Sequence, residues 1–319
     1  MMYRKRLVHA PGSDGSECHA VTLVELENGA LLCAWYAETS ARSRETALYG
    51  AALPSGAEDW IPYGTLKDMP SLSAGNPVLF LDGGGRLWLF YVTLFGDRWD
   101  TCQVRYTHSH DAGKTWSTPT ILHADWGWMT GSKPLLRPDG AILLPLYSVQ
   151  GLAFVMRSED GGKVWRPSSR IETEPGVIQP TLVPLDNGRL LMYLRRKAPH
   201  DEVLWQATSD DEGCTWSALV RTRLPDPKAR IDLVRLSDGR LALALRDTTQ
   251  GAAPLTLALS EDEGAAWPCR RNVETDAGED TSPALIQSRD GLLHLVYTCQ
   301  RTQIAHITCD IEWIREHDG

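Results

Sequence analysis

Arg195, Arg246 and Arg301 stand at or just past the ends of apolar segments, in a chain whose 32 basic and 41 acidic residues leave a formal charge of −9. A guanidinium is a planar fork of donors that grips a carboxylate, sulfate or phosphate through two hydrogen bonds at once. Three of them gathered in an acidic protein read as a local anion site. Lys133 and Gln179 open apolar segments and Tyr147 closes one, which makes them further candidates for substrate contact. His19, Glu38, Asp232 and Tyr297 hold matching positions and can transfer protons. The loop "HADWGWMTG" (123–131) sets Asp125 and Trp126 beside Lys133. An exposed indole face there could stack on a sugar ring, and a buried one would be packing. The set suits an acidic carbohydrate, although any single arginine could instead pair with Asp or Glu between elements.

Such residues need a scaffold that brings them to one end. An apolar run, a turn containing Gly and a second apolar run recur as "VTLVELENGALLCAW", "PVLFLDGGGRLWLFY", "PLLRPDGAILLPLY", "PTLVPLDNGRLLMYL", "DLVRLSDGRLALAL" and "PALIQSRDGLLHLVY". Their glycines, Gly29, Gly85, Gly140, Gly188, Gly239 and Gly291, are 56, 55, 48, 51 and 52 residues apart. Each copy reads as a β-hairpin with an Asx-Gly-like turn. A repeat of this length, with one hairpin in each half, predicts a four-stranded antiparallel sheet. Six of them arranged radially make an all-β, six-bladed β-propeller over 1–319. The segments are too short and too rich in turn residues for a helical solenoid. The first run, "YRKRLVHA", is placed to supply the last blade's outer strand and close the ring.

A second motif runs beside the hairpins: "SHDAGKTW" (109–116), "SEDGGKVW" (158–165), "SDDEGCTW" (209–216) and "SEDEGAAW" (260–267). Ser and Asp side chains cap nearby backbone N–H groups and Gly permits positive φ, so the motif reads as a turn whose Trp packs over it or between blades. Trp60 and Trp313 fall where degenerate fifth and sixth copies would end. In an antiparallel meander the hairpin turn and this turn lie at one end. Function is expected at the other, where first strands start and second strands end. The residues there are Cys18, His19, Asn76, Lys133, Gln179, Arg230, Asp232 and Ser282, then Tyr36, Glu38, Tyr91, Tyr147, Arg195, Arg196, Arg246, Asp247, Tyr297 and Arg301.

The pattern S-x-D-x-G-x-x-W resembles the Asp box, or BNR repeat, of the sialidase superfamily, and the likeness extends over essentially the whole chain. The resemblance implies a six-bladed propeller with structural boxes lying away from the catalytic face. It also implies glycoside hydrolysis with three arginines on the substrate carboxylate, an Asp acid/base, and a Tyr nucleophile assisted by a Glu. Arg195 matches one of those arginines, and Arg246 aligns loosely with another. Gln179 stands where the Glu is expected, Cys18-His19-Ala20 where an arginine should open the first blade, and Ser282 where the Tyr should be. Glu38 and Glu45 are the nearest carboxylates to the acid/base position. With "CHAVTLVEL", "IQPTLV" and "YTCQRTQIAH", the chain is similar to a set of uncharacterised bacterial sialidase-like proteins. The departures imply weak or absent cleavage of a generic sialoside.

Three functions compete on this reading. An exo-acting glycoside hydrolase would hold the anion with Arg195, Arg246 and Arg301 or Lys133, and use His19, Glu38 or Asp232 for acid/base chemistry. A polysaccharide lyase would abstract a proton with His19 or Tyr297 beside a uronate carboxyl. A non-catalytic propeller would bind glycans without turning them over. The acidic balance excludes the basic face that nucleic acid or an anionic membrane requires. Seven cysteines without CxxC spacing indicate free thiols, and no metal or cofactor is expected. No signal-like or membrane-spanning apolar run is seen, so a cytoplasmic protein is expected.

Overall fold

The six hairpin glycines all take φ between +74° and +91°. The N–H of each bonds the carbonyl three residues back, at 2.9–3.1 Å. These turns reverse the chain inside six separate antiparallel sheets. The computed structural model describes the chain except residues 11–16, 39–44, Pro70, Asp97, 199–200, Pro227, 250–252, 276–280 and 317–319.

Blade one is Cys18–Glu25, Leu31–Glu38, Thr46–Leu53 and Ile61–Lys67, and blade two is Ser73–Leu81, Leu87–Leu94, Cys102–Ser109 and Thr120–Ile121. In blade three the first strand is split into Trp128–Thr130 and Leu135–Leu136, both pairing with Ile142–Ser148; Ala153–Ser158 and Arg166–Pro167 follow. Blade four is Val177–Pro184, Leu190–Arg196, Val203–Ser209 and Val220–Pro225, and blade five is Asp232–Arg235, Leu241–Arg246, Leu255–Ser260 and Cys269–Glu274. Blade six takes Ala284–Gln287, Leu293–Cys299 and Gln303–Cys309, and its outer strand is Tyr3–His9, as the first strand-like run predicts. The ring is therefore closed by hydrogen bonds between the two ends of the chain.

The octapeptides are turns of one geometry. In all four, the Ser hydroxyl donates to the Asp Oδ1 at 2.7–2.9 Å. It also accepts the Gly N–H at 2.8 Å. The same Asp oxygen takes the N–H four residues on, at 2.8–2.9 Å. The tryptophans leave the turn and pack on the preceding blade. Trp165 of blade three stands edge-on to Trp88 and Phe90 of blade two. Trp116, Trp216 and Trp267 join the apolar clusters between blades one and two, three and four, and four and five respectively. Trp60 and Trp313, outside any intact box, do the same against blades six and five. Six indoles thus fill six blade junctions, where burial of aromatic area contributes most to cohesion.

The junction that closes the ring also carries a buried polar chain. Trp60 Nε1 donates to His306 Nδ1 at 3.2 Å, so His306 bears its proton on Nε2. That proton faces His294 Nδ1 at 3.0 Å, His294 Nε2 faces Ser288 Oγ at 2.9 Å, and Ser288 donates to Asp290 at 2.5 Å. Every donor in the series has an acceptor, and both imidazoles are neutral.

Candidate functional site

At the end of the axis opposite the boxes, the first strands of blades one, two and four break register between His19 and Thr22, Gly75 and Val78, and Ile178 and Thr181. Ala20, Asn76 and Gln179 lie in those bulges at φ +47°, +47° and +53°. A bulge adds a residue and re-aims its neighbours, which is a frequent device beside active sites. Ala20, Asn76, Gln179, Arg230 and Ser282 each precede their hairpin glycine by nine residues, so the propeller sets them at one level around the axis.

Gln179 is the centre of one network. Its Oε1 accepts from Arg195 Nη1 at 2.9 Å, and Arg195 Nε meets Asp226 Oδ1 at 2.8 Å. Asp226 is buried and also takes Lys228 Nζ at 3.0 Å. With its oxygen engaged, Gln179 has only its amide N–H groups left to offer, and the Tyr147 phenol stands beside it. Burial pushes the Tyr147 phenol above its ordinary range, and the charge of Arg230 acts against that rise.

Arg230 also faces Tyr36, whose phenol burial pushes up to about 12. Arg230 is only 6% exposed. Among the described residues its guanidinium has no ion-pair or hydrogen-bond partner, and its buried Nε is unsatisfied. His19 stacks on Tyr36 at 5.1 Å between ring centroids. Its Nε2 lies 3.4 Å from Glu17 Oε2, which Arg301 Nη1 also approaches at 3.4 Å. Burial lowers the His19 pKa, while Glu17 opposes the shift, so the imidazole is neutral at neutral pH. Trp99, partly exposed, meets the edge of Tyr36 at 6.4 Å. The arrangement gathers a buried cation without a counter-charge, two protonated phenols and an uncharged imidazole backed by a carboxylate.

Of the residues expected from sequence, His19, Tyr147, Gln179, Arg195 and Arg301 meet here. Glu38 ends its strand within electrostatic reach of His19. Others do not come free for chemistry. Asp232 is buried and accepts both Lys133 Nζ and the Leu285 N–H at 2.7 Å, so the pair ties blades three, five and six together across the axis. This corrects the reading of Asp232 as an acid/base and of Lys133 as a free anion ligand, because each neutralises the other. Tyr297 is fully buried, with its hydroxyl 3.2 Å from Glu274 in the outer strand of blade five, and belongs to the junction of blades five and six. Its place at the end of a second strand made it a candidate, yet the strand turns its ring into the core.

Arg246 ends its strand beside Asp247, which pairs with Arg270 at 3.0 Å. Asp125 is half exposed, 3.7 Å from both His123 and Arg170. Trp126 is exposed and edge-on to Phe95 at 5.3 Å, forming a rim feature rather than part of the axial cluster. Sequence placed Arg230 on this face without giving it a role, and did not name Glu17, Asp226 or Trp99. Arg230 alone had a usable signal, its nine-residue offset from Gly239. Among the described residues, no group of three His, Cys, Asp or Glu side chains could hold a metal ion.

The family model of the BNR repeat-like domain matches residues 29–295. A sialidase of Bacteroides fragilis (strain YCH46) is 23% identical over 232 residues, covering 65% of this chain and 41% of that protein. The chain thus spans about two fifths of that relative's length. Among solved structures, Hadza microbial sialidase Hz136 superposes with a TM-score of 0.82 at 19% identity, over 97% of this chain and 69% of that one. A protein of unknown function from Dyadobacter fermentans gives 0.80 at 16%, over 96% and 98% of the two chains. The intramolecular trans-sialidase from Ruminococcus gnavus, solved with oseltamivir carboxylate, gives 0.77 at 15%, over 94% and 96%. At these identities the structural likeness shows a shared fold.

Proposed function

Because the chain belongs to the BNR repeat-like domain family, we propose that it is a carbohydrate-active enzyme, an exo-acting glycoside hydrolase for an acidic sugar. The observation that carries this reading is the pairing, in one axial mouth, of a buried cation lacking a counter-charge with a neutral imidazole backed by Glu17. Arg230 supports binding of the anionic group. His19 supplies proton transfer, with Glu17 orienting the ring and stabilising its charged form. Trp99 and Tyr36 offer aromatic walls for a sugar ring. The Lys133–Asp232 pair and the packed first strands close the axis below the mouth, which favours a chain end over an internal unit.

The stacking of His19 on Tyr36 favours one second reading, a lyase, in which the imidazole removes a proton beside a carboxyl neutralised by an arginine. Incubation with acidic oligosaccharides separates the two. New reducing ends without ultraviolet absorbance mean hydrolysis, and a conjugated, absorbing product means elimination. No turnover of any uronate- or sialate-terminated glycan would sink both.

A further inference from the structure

We infer that Arg230 is the anion anchor of this protein and that it takes the single carboxylate of a sugar acid on the propeller axis. The inference rests on the acidic-sugar reading above and adds its residue, its place and the chemical class of the anion. The resemblance puts anion-binding arginines at the opening of blade one and at the ends of second strands. Arg230 instead lies two residues before the first strand of blade five.

The charges on the axis single it out. Asp226 is shared by Arg195 and Lys228, and Asp232 is taken by Lys133 and a backbone N–H. Four cations (Lys133, Arg195, Lys228 and Arg230) therefore face two buried carboxylates, and Arg230 is the member with no partner among the described residues. Leaving a charge buried and unpaired is among the costliest arrangements a fold can hold. A ligand that brings one negative charge relieves it.

The donors around Arg230 fit a planar acceptor. Its fork supplies two parallel N–H groups. Tyr36 and Tyr147 face it, and burial keeps both phenols protonated. With the Gln179 oxygen taken by Arg195, the Tyr147 O–H is left to donate to a ligand. Two N–H and two O–H donors satisfy the two oxygens of one carboxylate. A sulfate or phosphate ester has three terminal oxygens and asks for a further donor.

The test uses the intact protein, with calorimetric titration and thermal melting against D-glucuronate, N-acetylneuraminate, methyl glucuronate ester and glucose sulfate. At least one free sugar acid should bind and raise the melting temperature. The ester and the sulfate should bind at least about tenfold more weakly, one hydrogen-bonding step in affinity. Arg230→Met should lose at least about tenfold in sugar-acid affinity while melting no lower than the parent, because an unpaired buried charge has been removed. If Arg230→Met melts lower, Arg230→Lys decides, since it keeps the charge and loses the fork. A comparable loss supports the anchor, and unchanged affinity overturns it. Parent-like binding by Arg230→Met, equal binding of ester or sulfate, or no binding of either sugar acid by the parent also overturns it. Arg230-dependent binding without cleavage of any glycan keeps the anchor and removes the enzyme. Cleavage by Arg230→Met with unchanged KM does the reverse.

Discussion

At the box end of the propeller, Ser260 is wholly buried, and its hydroxyl donates to Asp262 and accepts the Gly264 N–H. At the other end Arg230 is almost as deep and has no partner among the described residues. The two regions are built from the same repeat, one residue set per blade, and they treat burial of polar groups oppositely. A satisfied polar turn stabilises and specifies the fold, whereas an unsatisfied one costs stability and persists where something else is gained. The bulges at Ala20, Asn76 and Gln179 add strained, left-handed backbone to the same end. The box end therefore maintains the structure, and the axial mouth draws on the stability it provides.

The sharpest test of that division is His19→Gln, which keeps a polar side chain of similar reach and removes the titratable ring. If the mouth is catalytic, kcat/KM on a cleaved acidic glycan should fall by about a thousandfold, within the usual span for losing a general acid or base. The melting temperature should stay within about two degrees, since the ring is partly exposed and its one ionic neighbour is half exposed. A variant that melts much lower but turns over at the parental rate would place His19 with the structural residues.

The sequence exposed the repeat because hairpin glycines and box aspartates are local requirements: a turn with positive φ needs Gly, and the capping pattern needs Ser and Asp two apart. Blade count, ring closure and the useful face all follow from those spacings. Pairing across the axis does not, because it depends on contacts between residues about a hundred positions apart. Asp232 and Lys133 looked like chemistry and proved to be a mutual ion pair. Sequence places Arg195 at the end of a second strand and Arg230 before a first one, but what makes one paired and the other not is that Asp226 reaches Arg195. Tyr297 was misread because strand alternation sets which face a ring takes, and its hydroxyl turns to Glu274.

Acid should break the scaffold at its closure before it breaks the boxes. Burial holds His294 down to about 4 and His306 to about 2, with Arg6 adding to both shifts and His294 to the second. The unfolded chain takes up protons near 6.5 that the folded one refuses, so this contribution is complete above about 6.5 and lost as pH falls. By pH 4 the loss is on the order of 3 kcal/mol for each imidazole. The Thr115 and Thr215 hydrogen bonds lower Asp111 and Asp211 to about 2, so the boxes lose their share only below the ordinary carboxylate range. Urea midpoints should therefore drop between pH 6.5 and 4 in the parent and far less in His294→Gln/His306→Gln. Equal slopes would show that the two junction types titrate together.

Ser260→Ala tests the satisfied end directly. It leaves the Gly264 N–H and one Asp262 lone pair without their partner, at a cost of about 2 kcal/mol. Urea unfolding should show that loss, while turnover and sugar-acid affinity stay at parental values. A fall in affinity without a fall in stability would erase the distinction between the two ends.

The smallest effect concerns backbone strain inside the boxes. The residue between Asp and the positive-φ Gly is itself left-handed in every copy: Ala112, Gly161, Glu212 and Glu263 have φ of +61°, +71°, +63° and +57°. A side chain there costs roughly 1–2 kcal/mol in the folded state, and glycine gives back about half of that through its freer unfolded chain. Gly161→Ala should therefore lower stability by about 1 kcal/mol, and the added methyl meets only ordinary contact with Arg86 at 3.5 Å. Ala112→Gly should raise stability by about 0.5 kcal/mol, reduced by the methyl it withdraws from the cluster of blades one and two. Opposite signs in urea unfolding, with no change in either variant's ligand affinity, would locate this strain in the scaffold. A change in affinity would mean that strain at the boxes reaches the axial mouth through the first strands, and the two ends would then have to be treated as one coupled unit.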